Sequence, residues 1–259
     1  MTRCELPDLA VIDGQMINIA TNEQAVSTII DRAEDGRGFR FFTLNLDHLV
    51  KRRNDRAFRA AYSDAEFVSA DGAPVVILAR RQGARLERTT GADLVLPVCQ
   101  EAARRQVPIA LFGSSEDVLG KCRAELQRRF PGIAIVHVEA PPFGFDPTSS
   151  EAHAAASRIA ASGARVVFVA LGAPKQELFA DEMARHFPQL GFICIGAALD
   201  FIVGAQVRAP AFFQRTGLEW LWRLGSNPRR MAYRYLLCLL VLVSLVFTRT
   251  HVKPRELGT

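Results

Sequence analysis

The sequence predicts a doubly wound, Rossmann-like α/β fold: a mostly parallel six-stranded sheet with helices on both faces, followed by a basic hydrophobic C-terminal appendage. Two observations predict the sheet. Six short apolar runs recur between residues 39 and 195, and amphipathic segments with helical spacing lie between them. Most runs lack apolar–polar alternation, which is typical of parallel strands that are covered on both faces. Strand–helix alternation repeated about six times is typical of doubly wound folds.

The predicted strands are rich in phenylalanine and β-branched residues, which favour extended structure. They cover residues 39–44, 66–70, 108–112, 133–138, 166–171 and 192–195. A capping box at residues 21–24 opens a first helix that we expect to end near Gly36. Further helices are predicted over residues 72–81, 116–130, 149–161 and 176–187.

Composition excludes several classes of protein. With 259 residues, 49% hydrophobic and 23% charged, the chain has the composition of a folded globular protein. The five cysteines contain no CxxC pair, which argues against a disulfide framework and fits a reducing compartment. The five histidines show neither HxH nor HxxxH spacing, and no GxGxxG follows the first strand. We therefore expect no metal site, no dinucleotide and no other cofactor.

The two ends of the chain differ in charge and hydropathy. Charged residues interrupt the first twenty positions, so we expect no secretory signal and a cytoplasmic protein. From residue 201 onward, nine basic residues face only two acidic ones. The apolar stretch 236–247 would span about 18 Å as a helix, short of the roughly 30 Å of a bilayer core. We predict a core at residues 1–210 and an appendage at 211–259 that binds an anionic membrane surface, peripherally or as a monotopic anchor, rather than a nucleic acid. The alternative is an ordinary buried C-terminal helix.

Small and polar residues follow the predicted strands, and ligands of parallel sheets bind beyond the carboxyl ends of the strands. Asp71 follows the second strand, where partial desolvation of a carboxylate raises its pKa toward that of a useful general base. The alternative is that Asp71 caps the helix of residues 72–81. Thr43 lies at the end of the first strand and Asn45 follows it, and turn or capping roles are the alternative for both.

Other positions at the same edge are candidates for binding an anion. Gly113 precedes two serines at the start of a helix, whose N–H groups can bind phosphate, although a structural turn and cap is the alternative. Lys175 and Gln176 lie in a first helical turn, where a lysine opposes the helix dipole and favours an anionic partner. Arg88 is a further candidate for a phosphate contact.

Taken together, these segments resemble the WecG/TagA/CpsF family of glycosyltransferases. The resemblance runs from about residue 11 to residue 235, and its specificity comes from the order and spacing of short motifs. The matching stretches are T-L-N (43–45), A-D-G (70–72), R-x-x-G-x-D (88–93), F-G (112–113), P-P-F-G-F (141–145), G-x-P-K-Q-E (172–177), G-A-x-x-D-F-x-x-G (196–204), R-A-P (208–210), G-L-E-W-L-W-R-L (217–224) and N-P-R-R (227–230).

The resemblance implies transfer of a sugar, with inversion, from a UDP-sugar to a polyprenyl-diphosphate-linked saccharide in exopolysaccharide or related surface polysaccharide biosynthesis. On the family pattern Asp71 matches the base, and Thr43, Asn45 and Gln176 match residues near the donor. In the family, arginines of the C-terminal appendage complete the active site. Here Arg223, Arg229 and Arg230 lie in the corresponding region.

The residues themselves agree with a reaction that needs no metal. The chain has no DxD motif for a divalent ion, and the basic appendage supplies positive charge for the departing diphosphate. The donor sugar is open between glucose, N-acetylmannosamine and its uronic acid, and a homo-oligomer is compatible with the sequence. The alternative functions are a non-catalytic nucleotide-binding module and a membrane-surface scaffold. Within the enzymes, a retaining or metal-dependent transferase is the competitor.

Overall fold

A computed structural model describes residues 9–206, 209, 210, 213, 222, 225 and 228–247. Within this part of the chain, six parallel strands form one sheet, and in their order across the sheet they cover residues 67–70, 39–44, 191–194, 166–170, 109–113 and 135–139. A separate antiparallel hairpin of two short strands precedes them. The predicted fold class is confirmed. Each of the six predicted strands begins and ends within two residues of the observed strand.

The strands of the hairpin are β1 (Ala10–Ile12) and β2 (Gln15–Ile17). Those of the main sheet are β3 (Phe39–Leu44), β4 (Phe67–Ala70), β5 (Ile109–Gly113), β6 (Ile135–Glu139), β7 (Val166–Ala170) and β8 (Gly191–Cys194).

The helices before β5 are α1 (Asn22–Glu34), α2 (Leu46–Asn54), α3 (Arg56–Asp64), α4 (Ala73–Arg81) and α5 (Gly91–Arg105). Those after it are α6 (Glu116–Arg129), α7 (Ser150–Ala161), α8 (Lys175–His186), α9 (Ala198–Ile202) and, last among the described residues, α10 (Pro228–Phe247).

The sheet is covered on both faces, as the unbroken apolar runs require. In β7, Val167 and Val169 belong to a core shared with α3, α4, α7 and α8, whereas Val166 and Phe168 belong to a second core shared with α1, α5, α6 and α9. Successive residues of a strand point to opposite faces, so one apolar run supplies both cores. The rigid sheet between them fixes the positions of the strand ends.

The expected capping box of α1 is present in modified form. The side chain of Thr21 accepts a hydrogen bond from the Gln24 backbone N–H at 3.0 Å, while Gln24 Oε1 accepts from the backbone N–H of Ala20 at 2.6 Å. Two N–H groups at the helix start are thereby satisfied, which stabilises the end of a helix. The helix closes near Gly36, as predicted.

Helix α10 packs along α2 with one face only. Cys238 and Val241 are buried in this contact, and Arg53 Nη1 donates a hydrogen bond to Ser244 Oγ at 3.1 Å. The other face exposes large apolar side chains, namely Tyr233, Leu236, Leu239, Leu240, Val243, Val246 and Phe247. Therefore α10 is not an enclosed core helix. Among the described helices, none has the length and hydropathy needed to cross a bilayer.

Candidate active site

The strand order brings the predicted site residues to one edge of the sheet. Asp71 directly follows β4, and Asn45 directly follows β3. Gln176 lies six residues after the end of β7, and Gly113 is the last residue of β5. Between β3 and β7 lies β8, which Gly196 follows two residues later. These five strands are neighbours in the sheet, so their carboxyl ends form one continuous edge, the position at which parallel sheets bind ligands in a crevice.

Asp71 and Asn45 are in direct contact. The Asp71 backbone N–H donates to the carbonyl of Leu44 at 2.8 Å, and Asn45 Nδ2 donates to Asp71 Oδ2 at 3.3 Å. The carbonyl oxygen of the same Asn45 side chain caps α2 by accepting from the His48 N–H at 3.0 Å. Asn45 is therefore a helix cap, which is the alternative role that the sequence allowed for it. It is also a hydrogen-bond partner of Asp71.

Asp71 does not cap the helix that follows it. The N-cap residue of α4 is Gly72, which has φ +92° and forms no side-chain capping bond. A positive φ of this size is readily adopted by glycine alone, so Gly72 turns the chain sharply between Asp71 and the helix. The structure thus removes the capping alternative for Asp71, and its carboxylate faces Asn45 instead.

Thr43 sits on a buried polar cluster beneath this contact. Its carbonyl oxygen accepts a hydrogen bond from the Tyr62 hydroxyl at 2.7 Å and lies 2.6 Å from His48 Nδ1. Burial lowers the pKa of His48 to about 4, so the imidazole is neutral at physiological pH. The cluster holds the end of β3 in place through α2 and α3, and thereby the position of Asn45.

Gln176 connects two strand ends. Its Oε1 accepts from the Gly196 backbone N–H at 3.0 Å, and its Nε2 donates to Glu177 Oε1 at 2.8 Å. Glu177 is fully buried, and burial raises the pKa of its carboxyl to about 7. Among the described residues, none forms a hydrogen bond with the other carboxylate oxygen, Oε2. A carboxyl that titrates near neutral pH therefore lies next to a predicted donor-binding residue.

A charged pair links this region to α10. Arg234 Nη2 lies 2.7 Å from Asp47 Oδ2, and Lys51 also pairs with Asp47. Burial alone would raise the pKa of Asp47, but the hydrogen bond from Lys51 and the charge of Arg234 outweigh it and lower that pKa. Asp47 lies in the first turn of α2, two residues after Asn45. The C-terminal helix is thus anchored beside the predicted site.

Arg88 lies in the segment that covers the end of β4. The neighbouring Thr89 donates its N–H to the carbonyl of Ala70 at 2.9 Å, which ties this segment beside Asp71. Arg88 Nη2 is 3.2 Å from Asp93 Oδ2, in the first turn of α5. The guanidinium is partly exposed and is held near the crevice by this ion pair.

The turn after β5 packs closely against the end of β7. A Cβ on Gly113, at φ +108°, would lie 2.5 Å from the carbonyl oxygen of Ala170, which only glycine avoids. The Ser114 N–H is already bonded to that oxygen at 2.9 Å, and Ser115 caps α6 through its side chain. These contacts favour the structural alternative for the turn, and phosphate binding at Gly113 stays a prediction. Likewise, Lys175 donates to the carbonyl of Phe145 at 2.8 Å rather than to an acidic group.

Of the predicted appendage arginines, Arg229 is exposed in the first turn of α10. Arg230 belongs to the same turn, and its side chain lies outside the described residues, as does the whole of Arg223. Their approach to the crevice stays a prediction.

The model of one protein family, described as the glycosyl transferase WecG/TagA/CpsF family, matches residues 10–256. The match spans both the α/β core and the appendage. The chain belongs to this family of glycosyltransferases.

In this glycosyltransferase the structure brings together Asp71, Asn45, Thr43 and Gln176 at neighbouring strand ends, with Arg88 close by. Sequence reasoning missed Tyr62 and His48, because they come from different helices and meet only on β3. It also assigned no role to Glu177. Its position directly after Gln176, within the G-x-P-K-Q-E motif, is the one signal that pointed to it.

Proposed function

We propose that this glycosyltransferase moves a sugar from a UDP-sugar to a hydroxyl of a polyprenyl-diphosphate-linked saccharide, with inversion at the anomeric carbon. The observation that carries the proposal is the Asp71–Asn45 contact at 3.3 Å. The contact orients the carboxylate of Asp71, and Asp71 follows β4 at the edge of the sheet where ligands of parallel folds bind. A carboxylate positioned in this way suits a general base.

In the proposed reaction Asp71 accepts the proton of the acceptor hydroxyl while that oxygen attacks the anomeric carbon. The bond between this carbon and the oxygen of the β-phosphate breaks, and UDP departs with the electron pair. A single displacement from the face opposite the leaving group inverts the anomeric configuration. The side-chain amide of Asn45 holds the Asp71 carboxylate in one orientation, so that this carboxylate is already positioned when the acceptor hydroxyl binds.

The departing diphosphate gains negative charge, which positive groups must stabilise. Arg88 is the candidate at the crevice, and Arg223, Arg229 and Arg230 are the candidates from the appendage. These fixed charges would do the work of a divalent ion, for which the sequence offers no DxD motif. Thr43, Gln176 and Gly113 complete the proposed donor site at the adjoining strand ends.

The proposed acceptor is a lipid, and α10 offers a surface suited to membranes. Its exposed face is apolar from Tyr233 to Phe247, about four turns, and large exposed apolar surfaces mark interaction sites. The flanking basic residues would meet anionic headgroups. We propose that the appendage holds the enzyme, peripherally or monotopically, at the cytoplasmic face of a bacterial plasma membrane. The polymer would be an exopolysaccharide or a related surface polysaccharide.

The deciding experiment is Asp71→Asn in the full-length protein. Binding of candidate UDP-sugars is measured by calorimetry, and transfer to a short-chain lipid-diphosphate acceptor is measured in EDTA. We expect donor binding to persist and transfer to fall about 10²- to 10⁴-fold, the usual contribution of a general base. NMR of the wild-type product should show inversion.

The control is Asp117→Asn, an exposed carboxylate in α6 that pairs with Lys121. It should transfer as fast as the wild type. Transfer by Asp71→Asn within threefold of wild type would reject the base, and donor binding without any transfer by the wild type would favour the non-catalytic alternative. Loss of activity in EDTA, in protein that circular dichroism shows to remain folded, would exclude a metal-free reaction.

A further inference from the structure

Three side chains on α7 and α8 converge on the surface away from the crevice. Glu182 and His186 are four residues apart in α8 and lie on one face of that helix, because a helical turn takes 3.6 residues. His153, in the first turn of α7, meets them from the neighbouring helix. One potential ligand atom from each of the three lies within 4.8 Å of the other two.

The distances fit a tetrahedral ion. With bonds of about 2.0–2.1 Å, two ligands of a tetrahedral zinc ion are separated by about 3.3 Å. Glu182 Oε1 lies 3.3 Å from His186 Nε2 and 3.6 Å from His153 Nε2. Two of the three ligand separations are thus close to a tetrahedron edge, and the shorter one is a hydrogen bond between His186 and Glu182 that an ion would replace. The two rings are 4.6 Å apart between centroids.

The remaining contacts leave this arrangement intact. Arg185 approaches the other oxygen of Glu182, with Nη1 3.5 Å from Oε2, so it orients the carboxylate without occupying Oε1. The three side chains are between 29% and 51% exposed, which gives an ion access from solvent. Two histidines and a carboxylate form a donor set that zinc accepts, with a water in the fourth position.

We propose that His153, Glu182 and His186 bind one zinc-class divalent ion that ties α7 to α8. The site is separate from sugar transfer. His186 is ten residues from Gln176 along α8, about 15 Å of helix, and the described polar contacts of the three ligands include no residue at the strand ends. Histidine spacing in the sequence does not point to the cluster, because the third ligand comes from another helix.

The test is titration of the full-length protein, stripped of metal, with Zn²⁺ by calorimetry and with Co²⁺ by visible absorption. The four described cysteines are buried, and Cys4 lies outside the described residues, so Cys4→Ser is the background for all variants. We expect one ion per chain, a rise in melting temperature with Zn²⁺, and the intense visible bands of tetrahedral Co²⁺.

The ligand variants are His153→Gln, His186→Gln and Glu182→Gln, each checked for folding by circular dichroism. Each should weaken binding at least tenfold, since even removing a residue that only supports a ligand costs 10- to 100-fold in affinity. The control is His137→Gln, whose imidazole pairs with Glu139 on β6, and it should bind as the wild type does. Absence of Zn²⁺ binding at about 1 mM, or full binding by a His153→Gln/His186→Gln variant, would overturn the proposal.

Discussion

Replacing Glu177 with glutamine should change how the stability of the protein depends on pH. The carboxyl of Glu177 has a pKa of about 7 in the folded chain and about 4.5 when unfolded, because burial disfavours its charged form. Between these values the folded state holds a proton that the unfolded state has lost. The contribution of Glu177 to the free energy of unfolding therefore falls as pH rises from 4.5 to 7 and is flat beyond.

The size of the effect follows from the shift. Each pKa unit corresponds to about 1.36 kcal/mol, so the full loss across the window is about 3 kcal/mol. Of this, about 2 kcal/mol falls between pH 5.5 and pH 8. Glutamine has no such proton to release, and its amide oxygen can still accept the hydrogen bond from Gln176. The stability of Glu177→Gln relative to wild type should thus rise by about 2 kcal/mol from pH 5.5 to pH 8.

Urea unfolding of both proteins at the two pH values measures this difference, and contributions from other titrating groups cancel between them. The control is Glu151→Gln, an exposed residue of α7, whose offset from wild type should be the same at both pH values. An equally constant offset for Glu177→Gln, within about 0.5 kcal/mol, would show that the buried carboxyl is not protonated near neutral pH.

Two further predictions concern backbone packing and the appendage. Gly113→Ala should lower the free energy of unfolding by about 3 kcal/mol or prevent folding, because its Cβ would overlap backbone atoms of Ala170. Gly120→Ala, on the open surface of α6, should instead stabilise by about 0.5–1 kcal/mol, and equal urea midpoints for both variants would contradict this account. Leu239→Asp/Leu240→Asp, at two exposed positions of α10, should weaken binding to phosphatidylglycerol vesicles at least tenfold in a flotation assay. Ile77→Asp, at an equally exposed position of α4, should bind vesicles like wild type. Wild-type vesicle binding by the α10 variant as well would show that α10 does not contact the membrane.

The sheet could be predicted closely because its signal is local. Each strand is a short apolar run, and the helices after Thr21, Ser115 and Ser149 begin at side chains that cap them. The hairpin of β1 and β2 escaped prediction, since three-residue strands carry too little periodicity. The sequence also did not predict that α10 has one covered and one exposed face, because residues 236–247 are apolar all round and the contact with α2 determines which side is covered.

The candidate site was predictable in part. Strand ends marked Asp71, Asn45 and Gln176, but position alone could not separate a base from a helix cap at Asp71. The difference depends on the φ of Gly72 and on the side-chain amide of Asn45, which are properties of three-dimensional structure. The raised pKa of Glu177 likewise depends on burial by distant segments, and no local pattern encodes it.

The side chain of Asn45 both caps α2 through its oxygen and donates a hydrogen bond to Asp71 through its nitrogen. These two contacts limit which residues can replace it. Aspartate or serine would cap α2 about as well, since these residues are interchangeable at helix starts. Aspartate, however, would set a second negative charge against Asp71 in place of a donor, and serine is too short to serve both partners. A position that would tolerate several residues as a cap alone therefore accepts essentially one when the neighbouring carboxylate must be held as well.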